Sequence, residues 1–292
     1  MPGPVGAGVG WLLFASLSVV TGVVASRWVV LSGPGDDHPA LRLQAARLGM
    51  GGAVALAAAL VGVFARQLLE FRDPFVPWRD DAHLLLTGTA WGATWLTGAV
   101  ASVLLVVAFG AAAGGRRWGW WMGTVLGLGV GAFPAFTGHA NAGDLRGLTL
   151  AADILHVWGA GAWMGGLLVL MVLEGRRRRA GGGSVLPLLV PAFSRLAMLC
   201  VGLLVSTGIL AAWVHLDAWG ALVTTPYGRL LALKLVGVAG VLALGALNLR
   251  RWTPRLAGDE GQEGMRRTAT WELALGGMVL LVTALLVRTS PM

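Results

Sequence analysis

Apolar residues run along this chain in long unbroken stretches, each ended by a cluster of glycine, proline, aspartate or arginine. A helix needs roughly 20 apolar residues to cross roughly 30 Å of hydrocarbon. Eight stretches qualify, at 8–31, 42–69, 83–110, 118–137, 148–173, 186–213, 227–249 and 268–288. The separators read as turns and short loops: Ser32-Gly33-Pro34-Gly35-Asp36-Asp37, Arg72-Asp73-Pro74, Gly114-Gly115-Arg116-Arg117, Asn141-Ala142-Gly143-Asp144 and Gly181-Gly182-Gly183. The pattern predicts an all-α fold, a polytopic membrane bundle with eight transmembrane helices. Its partner on every side is the lipid bilayer.

Composition narrows the function classes. Of 292 residues, 56% are hydrophobic and 12% charged, whereas a soluble domain carries about 25% charged residues. A cytosolic enzyme, a disordered chain and a nucleic-acid-binding domain are excluded. No GxxxxGK[ST] string is present, so no nucleotide is expected as partner or energy source. No nucleophile–base set or acid pair marks an enzyme. The single cysteine, Cys200, rules out an internal disulfide and a CxxC motif. The net charge of +8 reflects orientation rather than nucleic acid. Fifteen Lys and Arg follow runs 1, 3, 5 and 7, against six after runs 2, 4 and 6. That asymmetry places the odd loops in the cytoplasm and both termini outside. The first run has no basic residue before it, so it reads as an uncleaved helix rather than a signal peptide. Three spacings, Gly88/Gly92, Gly127/Gly131 and Gly161/Gly165, predict glycine faces for close helix packing.

That topology sorts the five histidines. His83 opens the third run, His139 closes the fourth and His215 closes the sixth, while His156 lies roughly 13 Å into the fifth. All four fall toward the outer face; only His38 lies on the cytoplasmic side. Imidazole is a strong ligand for copper and zinc, and helices of a bundle can deliver rings to one point. The candidate metal ligands are therefore His83, His139, His156 and His215. Asp153, one turn before His156, is the candidate to orient its ring; Asp81, Asn141, Asp144 and Asp217 lie toward the same face. An Asp153–Lys234 ion pair is the structural alternative, and Arg195 with Glu272 forms a second possible pair near the inner face. Soft sulfur ligands suit Cu(I), so Met164, two turns below His156, and Cys200 in the sixth run are candidates for a relay, although methionine also fills gaps in apolar packing. Two further classes compete with metal binding: a b-type haem electron carrier, and a metal-free assembly or scaffold protein packing through its glycine faces.

Particular strings in the second half resemble a known family. Asp153-Ile-Leu-His156 with Trp163-Met-Gly165-Gly166, then Phe193-Ser194-Arg195-Leu196-Ala197, Thr207-Gly208 and Ala212-Trp213, look like successive helices of the CopD/PcoD family of bacterial copper-resistance membrane proteins. Thr225-Pro-Tyr227-Gly228-Arg229 through Lys234, Asn248-Leu-Arg-Arg251 with Pro254-Arg255, and Arg266-Arg267 with Glu272 continue the order. Gly138-His139-Ala140 resembles the family's GHA turn. The resemblance divides the chain into an N-terminal four-helix half, 1–140, and a CopD-like four-helix half, 141–292. It implies an inner-membrane protein that takes copper from the periplasmic side and imports it or hands it on, with a periplasmic copper-binding protein as donor. His139 and His156 match family histidines; His83 and His215 are added from their positions.

Overall fold

The computed structural model describes residues 4–32, 38–137, 146–215 and 221–289. Among them the regular structure is helical. α1 (Pro4–Ala25) continues into a π-helical turn, Ser26–Val30; α2 is His38–Phe71, α3 Trp78–Thr87, α4 Ala90–Ala113, α5 Arg117–Gly131 and α6 Phe133–Thr137. α7 (Arg146–Ala160) passes through a second π turn, Gly161–Gly165, into α8 (Gly166–Arg179). α9 is Leu186–His215 and α10 Ala221–Thr224; α11 (Pro226–Leu247) runs into a third π turn, Asn248–Trp252, and a 3-10 turn, Thr253–Arg255; α12 is Asp259–Leu286. Seven stretches among the described residues are long and apolar enough to cross a membrane: Val5–Val30, His38–Phe71, Ala90–Ala113, Gly147–Arg179, Leu186–Trp213, Pro226–Arg255 and Asp259–Leu286. The chain is an all-α polytopic bundle.

Two predicted runs take a different form. The third spanning helix starts at Ala90, not at residue 83. Thr89 caps it by accepting the Gly92 N–H at 2.9 Å, which satisfies one of the donors left over at a helix start. Gly88 and Gly92 therefore sit on opposite sides of a break and share no helix face. The preceding residues form the separate ten-residue α3, which buries Asp81 and Leu85. The fourth run is divided. α5 has 15 residues, about 22 Å of helix, and ends before Pro134, which has no N–H to donate to the carbonyl four residues back. The bonds at the break reach back only three residues, Ala132 to Gly129 and Ala135 to Ala132, both at 3.1 Å.

α1 organises the bundle. None of its 22 residues is charged, and it packs on α2, α5, α8, α12 and the Gly161–Gly165 turn, so it touches helices from both halves of the sequence. One very close approach is backbone to backbone. A Cβ on Gly22 would stand 2.1 Å from the Gly165 carbonyl carbon, and one on Gly165 would stand 1.8 Å from the Ser18 oxygen. Gly161 meets Thr21, while Gly127 faces Val20 and Val24. Two of the three predicted glycine pairs thus pack on α1. Indole bonds fix it further: Trp11 Nε1 donates to the Gly277 carbonyl at 2.9 Å and Trp28 Nε1 to Thr124 Oγ1 at 2.7 Å.

The two ends of the described chain meet. Arg288 Nη2 donates to Glu70 Oε1 at 2.8 Å, and a Cβ on Gly6 would strike the same guanidinium. The start of α1, the end of α2 and the end of α12 share one face. Gly22→Ala should lower bundle stability by about 1–3 kcal/mol through overpacking, read as an earlier thermal unfolding midpoint in detergent. Gly8→Ala, with open space around its Cβ, should leave that midpoint unchanged.

Candidate functional site

α7 packs on α9, and this contact places His156. Its Nδ1 lies 2.9 Å from Thr207 Oγ1. Thr207 is buried, and its hydroxyl donates to the Leu203 carbonyl at 2.8 Å, a back-bond that fixes the rotamer on α9. A hydroxyl has one proton. With that proton on Leu203, Thr207 accepts the Nδ1–H of His156. The neutral ring then carries its lone pair on Nε2, the form that binds a metal or accepts a proton. Lys234 on α11 interacts electrostatically with both Asp153 and His156. Asp153 and Lys234 thus contribute opposite charges close to the ring, and the partner at Nδ1 is Thr207, not Asp153.

The other predicted ligands are not gathered around this ring. His83 is exposed on α3, where Thr87 Oγ1 lies 3.4 Å from its Nδ1. α3 packs on α2 and α4, so its contacts lie in a different part of the bundle from those of α7. His139 lies outside the described residues, as does the side chain of His215, whose backbone closes α9. Among the described residues, no three His, Cys, Asp or Glu side chains group as a metal site. Asp81 accepts the Asp73 N–H at 3.1 Å and so pins the connection between α2 and α3. Cys200 is buried on α9, seven residues and therefore two turns from Thr207, on the same stripe of the helix. Met164 packs on Gly276 of α12, whereas His156 faces α9. The π turn between them explains the difference, since its i→i+5 bonding rotates the succeeding residues out of the α-helical register.

Toward the opposite end lie two buried carboxylates: Glu174, which the sequence reading did not single out, and Glu272, whose partners differ from the expected Arg195. Fully buried Glu174 accepts Ser184 Oγ at 3.0 Å, the Val185 N–H at 2.8 Å and Arg266 Nη1 at 3.1 Å. It thereby fastens the α8–α9 turn to α12. Glu272 does not pair with Arg195, which is exposed. It accepts Asn248 Nδ2 at 2.7 Å and a side-chain hydrogen bond from Trp163. Thr207, Trp163 and Asn248 were all within the family-like strings, yet neutral polar residues carry no sequence mark of which carboxylate or ring they will meet. Arg266→Ala should cost about 3 kcal/mol by leaving the buried Glu174 without its cation, measured as lost thermal stability, and Arg266→Lys should recover part of it.

Two known groups of proteins match parts of this chain. Residues 187–286 match the family of Copper resistance protein D (CopD). Over 200 residues, 67% of this chain, the sequence is 28% identical to the copper transport protein CutJ of Bacillus subtilis (strain 168). The chain spans 36% of the length of that relative. No solved structure matches it.

Proposed function

We propose that this chain, whose residues 187–286 match the CopD family, takes copper from the outer side of the inner membrane and imports it or hands it on. The observation that carries this reading is the His156–Thr207 bond, which supports an imidazole presented with Nε2 free of a proton inside a span. His156 is the central ligand. His139, following α6, and His215, closing α9, complete the site, and His83 on the exposed α3 meets the incoming ion first. Asp153 offsets the charge of Lys234 beside that site and keeps the pocket tolerant of a cation. A periplasmic copper-binding protein is the donor. Cys200, two turns from Thr207 along α9, is the soft ligand on the inward path, and a membrane potential drives cation entry by roughly 2.3 kcal/mol per charge per 100 mV. Met164, turned onto α12, serves the packing there instead.

The orientation belongs to the same proposal. Chain ends that share a face call for an even number of crossings, so we count α5 with α6 as the eighth and place both termini outside, in keeping with the excess of Arg after the odd runs.

The test is copper binding by the purified full chain, read by competition with a chromophoric Cu(I) chelator. His139→Ala with His156→Ala should abolish high-affinity binding. Thr207→Val, which removes only the group orienting the ring, should weaken it about 10–100-fold, and Thr207→Ser should restore it. Unchanged stoichiometry and affinity in the double variant overturns the proposal.

A further inference from the structure

Two of the three described π turns aim side chains at one buried carboxylate. Trp163 comes from the Gly161–Gly165 turn and Asn248 from the Asn248–Trp252 turn; both bond Glu272 on α12. π turns are rare and are found frequently at functional sites. Glu272 is 2% exposed and Asn248 7%, inside a stretch long and apolar enough to span the membrane. An ionisable side chain held there by neutral donors is a functional group until shown otherwise.

Charged groups on the packed elements lie elsewhere: Arg176 to Arg179 fill the last turn of α8, Asp259, Glu260 and Glu263 are exposed at the start of α12, and Tyr227 and Arg229 lie further from Asn248 than Lys234 does. α1 and the Gly161–Gly165 turn carry no titratable side chain. α8 brings Glu174, which is bonded to Arg266 of α12. The third π turn brings Arg250 and Arg251, both exposed, with Arg251 lying 4.7 Å from the Trp252 ring centroid. Arg255 of the 3-10 turn is exposed as well, and Arg267 of α12 likewise. Lys234 of α11 is 14 residues before Asn248, about 21 Å along the helix. The partners at Glu272 are thus an amide and an indole, neither of them charged.

We propose that Glu272 is an intramembrane proton-binding site, with Asn248 as the amide that reports its protonation state to α11. The hydrogen bonds close in both states. With Glu272 ionised, Asn248 Nδ2 and the Trp163 indole donate to the carboxylate, and the Thr268 hydroxyl donates to Asn248 Oδ1. When a proton from water adds to a Glu272 oxygen, the carboxyl becomes a donor. Rotation of the Asn248 amide then presents Oδ1 to that O–H and Nδ2 to Thr268 Oγ1. Thr268 gives its own proton to the Gly264 carbonyl, already 2.8 Å away. One proton enters, the Glu272 O–H, the Asn248 amide and the Thr268 hydroxyl each keep a partner, and the Trp163 indole stays beside the carboxyl. A side chain that can only donate or only accept at position 248 would not support both states.

Proton binding at Glu272 goes beyond the copper reading and does not depend on it. Its test is attenuated-total-reflection infrared spectroscopy of the full chain in phosphatidylcholine vesicles as pH is stepped. The expected result is a protonated-carboxyl C=O band that disappears reversibly as pH rises, is missing in Glu272→Gln and persists in Glu174→Gln. In Asn248→Leu the band should titrate about one to two pH units higher, because the ionised form loses a donor to a charged group. Asn248→Gln should lie between the two. A wild-type chain with no such band at any pH, or with a band that survives in Glu272→Gln, overturns the proposal. Cu(I) binding measured on the same Glu272→Gln sample should equal wild type, so that loss of the copper site and loss of the proton site are read separately.

Discussion

Hydrocarbon offers no hydrogen bonds, so each polar side chain inside this bundle must find its partner on another part of the protein. That constraint accounts for most of the interhelical geometry. Trp11 reaches across to a backbone carbonyl of α12 and Trp28 to a threonine of α5. His156 reaches Thr207, Glu174 reaches Arg266, and Asn248 reaches Glu272. All but the last join elements distant in sequence. The apolar surface between them has little preference for one rotation of a helix over another, because lipid is as apolar as leucine. Polar pairs supply that preference.

Close packing supplies the rest. α1 has no charge of its own and could lie against any neighbour. It is fixed by a place where two backbones touch, at Gly22 and Gly165. The Gly161–Gly165 π turn lies at this contact. It also connects the two candidate sites mechanically. The same continuous stretch from Arg146 to Arg179 carries His156 above the turn and Trp163 within it. A shift that repacks the turn against α1 would therefore be felt both by the ring at Thr207 and by the indole at Glu272.

How much of this was legible in the sequence depends on which physical property carries it. Span positions follow from apolar length alone, and the stretches at α2, α9, α11 and α12 lie close to their predicted runs. The errors fall where local chemistry overrides hydropathy. Thr89 caps a helix in the middle of an apolar run, and Pro134 divides another. Apolar length does not register either event, although the residues themselves announce both. The family resemblance singled out the string that includes Thr207, and residues 187–286 bear it out. Its bond to His156 was not legible, because a threonine is tolerated almost anywhere in a membrane helix. The Arg195–Glu272 pairing failed for a related reason. Opposite charges at a similar depth are a necessary condition for an ion pair, but helix rotation decides whether they meet, and Glu272 faces the Trp163 and Asn248 side of its helix.

Along α7 and α8, rotation also depends on the π turn between them. In an α-helix, His156 and Met164 would lie on nearly one face, and the expected path of soft ligands would run straight down α7 and α8. The inserted turn sends Met164 to Gly276 and brings Trp163 to Glu272 instead. The stripe that remains continuous with the His156 site is on α9, where Thr207 and Cys200 are two turns apart. A local change in hydrogen-bond register thus separates two of the polar environments: one of imidazole, hydroxyl and thiol along α7 and α9, the other of the Glu272 carboxylate on α12 with the Asn248 amide and the Trp163 indole from two π turns. The first has soft and borderline ligands suited to a copper ion. The second has one hard carboxylate held by N–H donors, which offer a metal cation no further ligand.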